Sequence, residues 1–494
     1  MSTNNYILPK QTYVSMTGGF GTIYATENID GNRFAVGGRF DSIIDSTGVN
    51  KAARMWGVLN KDGELTMTDP VYEGATVRAL AYLGNNLLAI ASDNIDAPPG
   101  SPAADSSMES KCVIFDITPG QTPTVKHIFN TDDRIFALAN LEGGKFAMGG
   151  DFQAISADTL SPAPFDEDSF YCAILNANGT FDISLNFGAR VNTLAYLGEN
   201  SLAVGGEFDA FTDAKNGKLY SAPYFAYIGT DGVFLNSISF NNHVNAIAVL
   251  PDKKLAIGGM FTEVQPPPDA DGIIITLFGL NIAIFAVRGG NHLGFLKGFN
   301  CTATGGRTSS VNALAYLGNN KLAVGGSIDG IASAESLLST TELAVINVDN
   351  DEIVKTFSNI KHLYGVGAPV LGLADLSNNY LVVGGVFTNM HNDCPGATGG
   401  SESVGLAILN NIESVLKPTV QKPTEPVAHL SVTVPTPQDE GFTEHPSDTS
   451  ARNQAKANGQ QTYYYAKGKY LCKKPEFCLD IEKRGFNNFK LSRK

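Results

Sequence analysis

One phrase recurs seven times along this chain and constrains its fold more than anything else in the sequence. It reads Phe34-Ala-Val-Gly-Gly38, Leu88-Ala-Ile-Ala-Ser92, Phe146-Ala-Met-Gly-Gly150, Leu202-Ala-Val-Gly-Gly206, Leu255-Ala-Ile-Gly-Gly259, Leu322-Ala-Val-Gly-Gly326 and Leu381-Val-Val-Gly-Gly385. The first glycine position falls at 37, 91, 149, 205, 258, 325 and 384. Such near-regular spacing marks one supersecondary unit that cannot bury its faces alone and must stack on its neighbours. Each copy holds more than one strand. Before the glycines stands an apolar run such as Val311-Asn-Ala-Leu-Ala-Tyr-Leu317, matched by Val77–Leu83, Val191–Leu197 and Val244–Leu250. Gly318-Asn-Asn joins the two runs, and Gly and Asn accept the positive φ of a tight hairpin. A third strand follows in every copy, from Trp56-Gly-Val-Leu-Asn60 to Leu406-Ala-Ile-Leu-Asn410. Turn chemistry such as Lys61-Asp-Gly63 then leads to a fourth.

Four antiparallel strands repeated seven times, apolar on both faces, imply an all-β chain, a seven-bladed β-propeller of four-stranded blades followed by an extended C-terminal tail. Composition agrees: charged residues make up 17% and there are 52 glycines, which suits a turn-dense β protein better than a helical bundle. The expected propeller spans residues 1–416. Its blades lie near 20–74, 75–132, 133–189, 190–242, 243–309, 310–368 and 369–416, and residues 1–19 supply a closing strand. Within these, Tyr6–Met16 is rich in strand formers and is expected to complete the last blade, which would remove an exposed edge.

The glycine pairs Gly37/Gly38, Gly149/Gly150, Gly205/Gly206, Gly258/Gly259, Gly325/Gly326 and Gly384/Gly385 are read as structural, because they recur in six of the seven units as architecture does. A residue without Cβ permits positive φ or close approach of another backbone. No copy gives G-x-G-x-x-G between a strand and a helix, so a nucleotide site is not expected. The aromatic two places on (Phe40, Phe152, Phe208, Phe261, Phe387) reads as core, as do Cys112 and Cys172, which share a strand position with Trp56, Phe225 and Leu343. Asn192, Asn245 and Asn312 recur near the starts of first strands and suit a turn or channel wall.

With the unit Ile174-Leu-Asn-Ala-Asn-Gly-Thr-Phe-Asp-Ile-Ser-Leu-Asn186 beside the Ala-Val-Gly-Gly-x-Phe strands, residues 13–416 resemble the delta-60 repeat family of β-propellers. Kelch repeats share the double glycine but want a tryptophan in each blade, and this chain has one, Trp56. The pattern departs at Ala91-Ser92 and at Ile328, which stands for the phenylalanine. The resemblance implies a binding or scaffolding protein of the kind found in bacterial surface proteins and phage tails, and it supplies no catalytic motif.

The connections between second and third strands are long in every copy: Asp41–Arg54, Asn94–Lys111, Gln153–Phe170, Asp209–Tyr224, Thr262–Leu280, Asp329–Glu342 and Thr388–Val404. They are expected to crown one face. They hold 19 Asp/Glu and five Lys/Arg. The surplus reads either as a solvated surface or as a site for a basic partner or divalent cations. A dedicated calcium loop finds little support, since Pro268-Asp-Ala-Asp-Gly272 offers two carboxylates rather than a full ligand set. No cofactor is expected.

Beyond Leu416 the chain changes character. Residues 417–461, with Lys417-Pro through Pro426 and Val434-Pro-Thr-Pro437, read as a Pro/Thr-rich extended linker. Residues 462–494 carry a charge of +6 on a chain of net −14, leaving −20 on residues 1–461. Aromatics cluster there too. Tyr463, Tyr464, Tyr465, Lys467, Lys469, Tyr470, Lys473, Lys474, Phe477 and Phe486 make this a basic, aromatic segment suited to docking on an acidic protein surface. A solvated basic tail and a single-strand nucleic-acid binder are the other readings of the same residues. Cys472 and Cys478 could form a redox-dependent loop but lack the further ligands of a zinc site.

The net charge argues against nucleic acid or an anionic membrane as partner of the whole chain. No run of about 18 apolar residues is present. Met1–Lys10 lacks a basic stretch followed by an apolar one, so a virion or the cytoplasm is favoured over general secretion. There is no Walker A, G-x-S-x-G or H-x-x-x-H. The reading is a non-enzymatic propeller held in a larger assembly, of which a phage or virus particle is favoured. A bacterial surface or adhesion propeller binding protein or glycan is the alternative, and an enzyme with its site at the central channel the second alternative.

Overall fold

The computed structural model describes residues 13–16, 19–69, 76–93, 110–157, 167–268, 274–376 with short interruptions, 380–387, 389–390 and 404–409, together with the strands 429–433, 442–443, 461–462, 464–466 and 470–472. Seven innermost strands surround a central axis: Thr22–Asn28, Thr76–Gly84, Ile135–Asn140, Val191–Gly198, Val244–Leu250, Ser310–Gly318 and Val370–Asp375. Each packs against the next, and Val370–Asp375 packs against Thr22–Asn28, so the ring is closed. Outward from each inner strand run the glycine strand and the third strand, all antiparallel; six of the seven blades add a fourth strand from the same stretch of chain. The fold is therefore an all-β propeller.

Sheets of four or more strands nevertheless number eight among the described residues, against the seven blades expected. Six of the eight are blades. The other two, built on Ser42–Ile44 with Asn50–Ala52 and on Glu263–Gln265 with Ile274–Phe278, are peripheral ribbons made from long connections. Among the described residues the last blade has three strands of its own, Val370–Asp375, Leu381–Gly385 and Leu406–Leu409.

The double glycine is explained by two close approaches. A Cβ on Gly37, Gly149, Gly205, Gly258, Gly325 or Gly384 would fall 2.3–2.5 Å from a methyl of Val77, Val191, Val244, Val311, Val370 or Ile23, the first inward residue of the next blade. A Cβ on the second glycine would fall 2.0–2.4 Å from the carbonyl oxygen just before that same position in its own blade. There the inner strand bulges: Val244 pairs with Gly259 and Ala246 with Gly258, so Asn245 is extruded. That Gly384 of the last blade receives Ile23 of the first repeats the rule across the closure. In the second blade Ala91 and Ser92 stand at these positions, both buried.

Between inner and second strands, Asn85 and Asn86 take φ of 49° and 61°, and Asn319 and Asn320 take 47° and 60°, as the Gly-Asn-Asn signal requires. The packed faces carry the aromatic positions, with Phe40, Phe152, Phe208, Phe261 and Phe387 fully buried. Cys112 and Cys172 are buried among them, and burial pushes both thiols far above the usual range.

The N-terminal strand closes the ring. In the third blade Phe187 ends the outer strand, donates its N–H to the Phe170 carbonyl (3.2 Å) and pairs with Phe211. Val14, in Tyr13–Met16, donates to the Val404 carbonyl (3.1 Å) and pairs with Ile43. Val14 thus makes, in the last blade, the contacts that Phe187 makes in the third, and it is buried at 1% exposure. Residues 6–12 of the expected closing strand lie outside the described residues.

Candidate binding face and channel mouth

Five of the long connections are described well enough to follow, and these do not stand up as a crown. Those of the first, third, fourth, fifth and sixth blades fold into hairpins: Ser42–Ile44 with Asn50–Ala52, Ala154–Ala157 with Glu167–Asp168, Ala210–Thr212 with Leu219–Ser221, Glu263–Gln265 with Ile274–Phe278, and Gly330–Ala332 with Leu337–Ser339. The first strand of each hairpin pairs with the end of the outer strand of the preceding blade, or with Tyr13–Met16 in the first. Every hairpin therefore clasps two blades.

In the first and fourth blades the hairpin runs down the outside of the ring. Ser46 N–H donates to Gly63 O (3.0 Å) and Ala214 N–H to Gly232 O (2.9 Å), so the hairpin tips reach turns at the opposite end of the blade. One apolar side chain from each hairpin fills the crevice: Ile43, Ile155, Phe211, Val264 and Ile331 are all buried. Phe211 lies 4.8 Å from Phe187 of the third blade and 6.3 Å from Phe234 of the fourth, ring to ring. The sequence signal for this was an apolar residue three places after each core phenylalanine, or after Ile328, inside stretches read as polar loops.

Four of the 19 carboxylates, Asp45, Asp213, Asp329 and Glu342, are taken up in fastening these hairpins. The Asp45 carboxylate is covered and accepts hydrogen bonds from Thr47 N–H, Thr47 Oγ1 and Leu65 N–H, and Lys51 Nζ sits 2.6 Å from it. Burial alone would raise its pKa; the Lys51, Thr47 and Leu65 bonds outweigh that and hold it at about 2. Asp213 does the same work in the fourth blade, accepting from Lys215, Asn216 and Phe234 N–H groups. Glu342, buried, accepts from Ile328 N–H and pairs with Arg307, which also grips Asp329. These carboxylates are hairpin fasteners. Among the described residues no group of three or more His, Cys, Asp or Glu side chains converges as metal ligands would.

What remains on that face surrounds the channel mouth. The bulge residues of the inner strands line it: Tyr24, Arg78, Phe136, Asn192, Asn245, Asn312 and Leu371. From the fourth to the sixth blade they form an amide ladder. Asn192 Nδ2 donates to Asn245 Oδ1 (3.3 Å), Asn245 Nδ2 to Ser310 Oγ (3.1 Å), and Ser310 Oγ to Asn312 Oδ1 (2.6 Å). The expected channel-wall role of the three asparagines is seen here.

The adjoining arc, from the second blade to the fourth, is ionic. Arg190 grips Asp151 through Nε (2.6 Å) and Nη2 (2.7 Å) and reaches Glu207 (3.2 Å). Arg78 holds Asp93 (2.6 Å), and both guanidiniums lie over the Phe136 ring, at 5.4 and 4.7 Å. Burial raises the Asp93 pKa, with Arg78 opposing it. The Asp151 hydrogen bonds raise that of Arg190. One inner-strand residue breaks a regular pattern. Glu27 occupies the position held by Ala81, Ala139, Ala195, Ala248, Ala315 and Ala374 in the other blades. Its Oε1 accepts the Tyr82 N–H of the next blade (3.0 Å). Burial pushes its pKa up to about 7, against the lowering effect of that bond.

Of the tail positions singled out from sequence, Tyr464, Tyr465 and Tyr470 lie on a two-stranded hairpin, Tyr464–Ala466 with Tyr470–Cys472. Tyr463, Lys467, Lys469, Lys473, Lys474, Phe477 and Phe486 lie outside the described residues, as does Cys478. Within the linker, His429–Thr433 pairs with Ile274–Phe278 of the fifth-blade hairpin. No helix among the described residues is long and apolar enough to cross a membrane.

Fold and face together define a closed β-propeller with clasped blades. No protein-family model matches the sequence, and no curated protein does. Among solved structures the chain is similar to the WD40 beta propeller domain of Doa1, at 11% identity and a TM-score of 0.44, over 82% of this chain and 98% of that one.

Proposed function

We propose that this chain is a non-enzymatic binding propeller, a component of a larger assembly held there by its C-terminal segment 462–494. The observation that carries the reading is the division of charge: +6 on residues 462–494 against −20 on residues 1–461. A basic, aromatic segment beyond a Pro-rich linker is built to reach a surface, and an acidic protein face attracts it. The clasped ring supports this as a platform. Its described hairpins are fastened between blades, and its channel-mouth arginines are committed to Asp93, Asp151 and Glu207 rather than poised on a nucleophile. The assembly we favour is a phage or virus particle, in line with the delta-60 resemblance. The partner is a protein, met through the tail and the hairpin side of the ring, and no cofactor is required.

Charge-driven docking weakens with salt. Raising salt from about 50 to about 500 mM shortens the screening length from about 14 Å to about 4 Å. Co-sedimentation of the full chain with its native particle or complex should fall steeply over that range. Retention that is flat in salt would remove charge complementarity as the basis of docking.

A further inference from the structure

We propose that the outer edge of Ile274–Phe278 is a strand-acceptor site whose occupant is the chain's own segment His429–Thr433, which moors the linker to the ring at the fifth blade. The other four described clasp hairpins end in short second strands: Asn50–Ala52, Glu167–Asp168, Leu219–Ser221 and Leu337–Ser339, of two or three residues each. Ile274–Phe278 is five residues long, and Gly272–Phe278 reads Gly-Ile-Ile-Ile-Thr-Leu-Phe, with no charge and no proline. A long, charge-free, β-branched edge is the kind that pairs with whatever strand is offered. Here it is covered along its whole length: Ile274 pairs with Thr433, Ile275 with Val432, Thr276 with Ser431, Leu277 with Leu430 and Phe278 with His429.

The occupant is marked in the sequence. Within the Pro-rich linker, residues 427–434 run without proline between Pro426 and Pro435. Proline cannot donate to a ladder, so these two bound a stretch just long enough for the strand. Residues 410–428 connect it to the last blade, and a chain of that length reaches up to about 60 Å at roughly 3.3 Å per residue, enough to pass from the seventh blade to the fifth within one chain. The pairing stands apart from the docking reading of residues 462–494; only its use rests on that reading. By mooring residues 429–433, it sets the point on the ring from which the chain beyond Thr433 departs.

The test is hydrogen exchange on the full chain and on a Leu430→Pro/Ser431→Pro double variant. Adjacent residues of a strand aim their N–H groups in opposite directions, so one of the two prolines must remove a ladder bond. Amides of Ile274–Phe278 should exchange at least tenfold faster in the variant, while Lys254–Gly259 in the same blade stays protected. Unchanged exchange at Ile274–Phe278 would overturn the proposal, and so would lost protection in both segments, which would make the strand an integral part of the blade. Protection in the unmodified chain should also be the same at 1 and 100 μM. Protection that disappears on dilution would assign the strand to a second copy and refute mooring within one chain.

Discussion

Placing a methyl group on Gly258 tests how the blades are fitted together. The added Cβ would lie 2.5 Å from Val311 Cγ1, 3.1 Å from Val311 Cβ and 3.2 Å from Leu314 Cδ1, all on the inner strand of the next blade. Relieving the first contact takes about 1 Å of movement, since carbon atoms pack at roughly 3.5 Å or more. Val311 is branched at Cβ and buried, so rotation about χ1 brings round another substituent rather than space. The strand itself is braced by neighbours on both sides of a closed ring. Overpacking of this kind costs about 1–3 kcal/mol for Gly258→Ala and about 2–4 kcal/mol for Gly258→Val. With an unfolding entropy of about 2 cal/mol/K per residue over roughly 400 residues, 3 kcal/mol lowers Tm by about 3–4 °C. Thermal melts by circular dichroism or calorimetry resolve that. Gly289→Ala is the control, because nothing lies within 4 Å of its Cβ position and its φ is not positive. The decisive arm is Val311→Ala, which deletes the obstructing methyl: Gly258→Ala should cost at least about 1 kcal/mol less in that background. Equal Tm for Gly258→Ala and Gly289→Ala, or an unchanged cost beside Val311→Ala, would refute the account of the double glycine.

Three further outcomes are expected. Glu27 has a folded pKa raised to about 7 by burial, so its folded form favours the proton. Its contribution therefore erodes stability as pH rises from the unfolded value near 4.5 through about 7, by up to about 3–4 kcal/mol at about 1.36 kcal/mol per unit. Glu27→Gln should then raise Tm at pH 8 and leave it nearly unchanged at pH 4, and equal effects at both pH values would contradict this. Val14→Asp puts an unpaired carboxylate into a buried closing strand and should cost about 2–4 kcal/mol; a melting temperature that stays put would show that the ring does not need this strand. Phe211→Ala should cost about 3–5 kcal/mol by emptying the crevice between Phe187 and Phe234, whereas a loss below about 1 kcal/mol would mean the hairpin does not clasp its blades.

What the sequence revealed followed from period. Seven glycine strands and the Gly-Asn-Asn turns are local signals repeated often enough to average out their exceptions. The strand formers of Tyr6–Met16, of which Tyr13–Met16 is described, could be assigned to closure because an open ring leaves an edge. The hairpins were hidden for a physical reason. Those of the first and third blades bury Ile43 and Ile155 in stretches otherwise dominated by Asp, Ser, Thr and Ala, so no alternation there runs long enough to read as a strand. Counting charge placed Asp45 and Asp213 in an acidic crown, solvated or partner-binding, because a carboxylate that fastens a turn has the same letter as one facing water or a partner. Glu27 was visible as the one departure from alanine in an aligned inner strand, but only the register shows that the position faces the next blade. The pairing of His429–Thr433 with Ile274–Phe278 joins segments from opposite sides of two intervening blades, beyond the reach of any local pattern.

The claim that this propeller is docked by its tail is tested most directly by deleting residues 462–494 and measuring two quantities on the same preparation. The account predicts that Tm stays close to that of the full chain, because the ring is complete without the tail, while the protein no longer sediments with its native particle or complex. A truncated chain that still assembles to the full extent, or one that no longer folds, would contradict it.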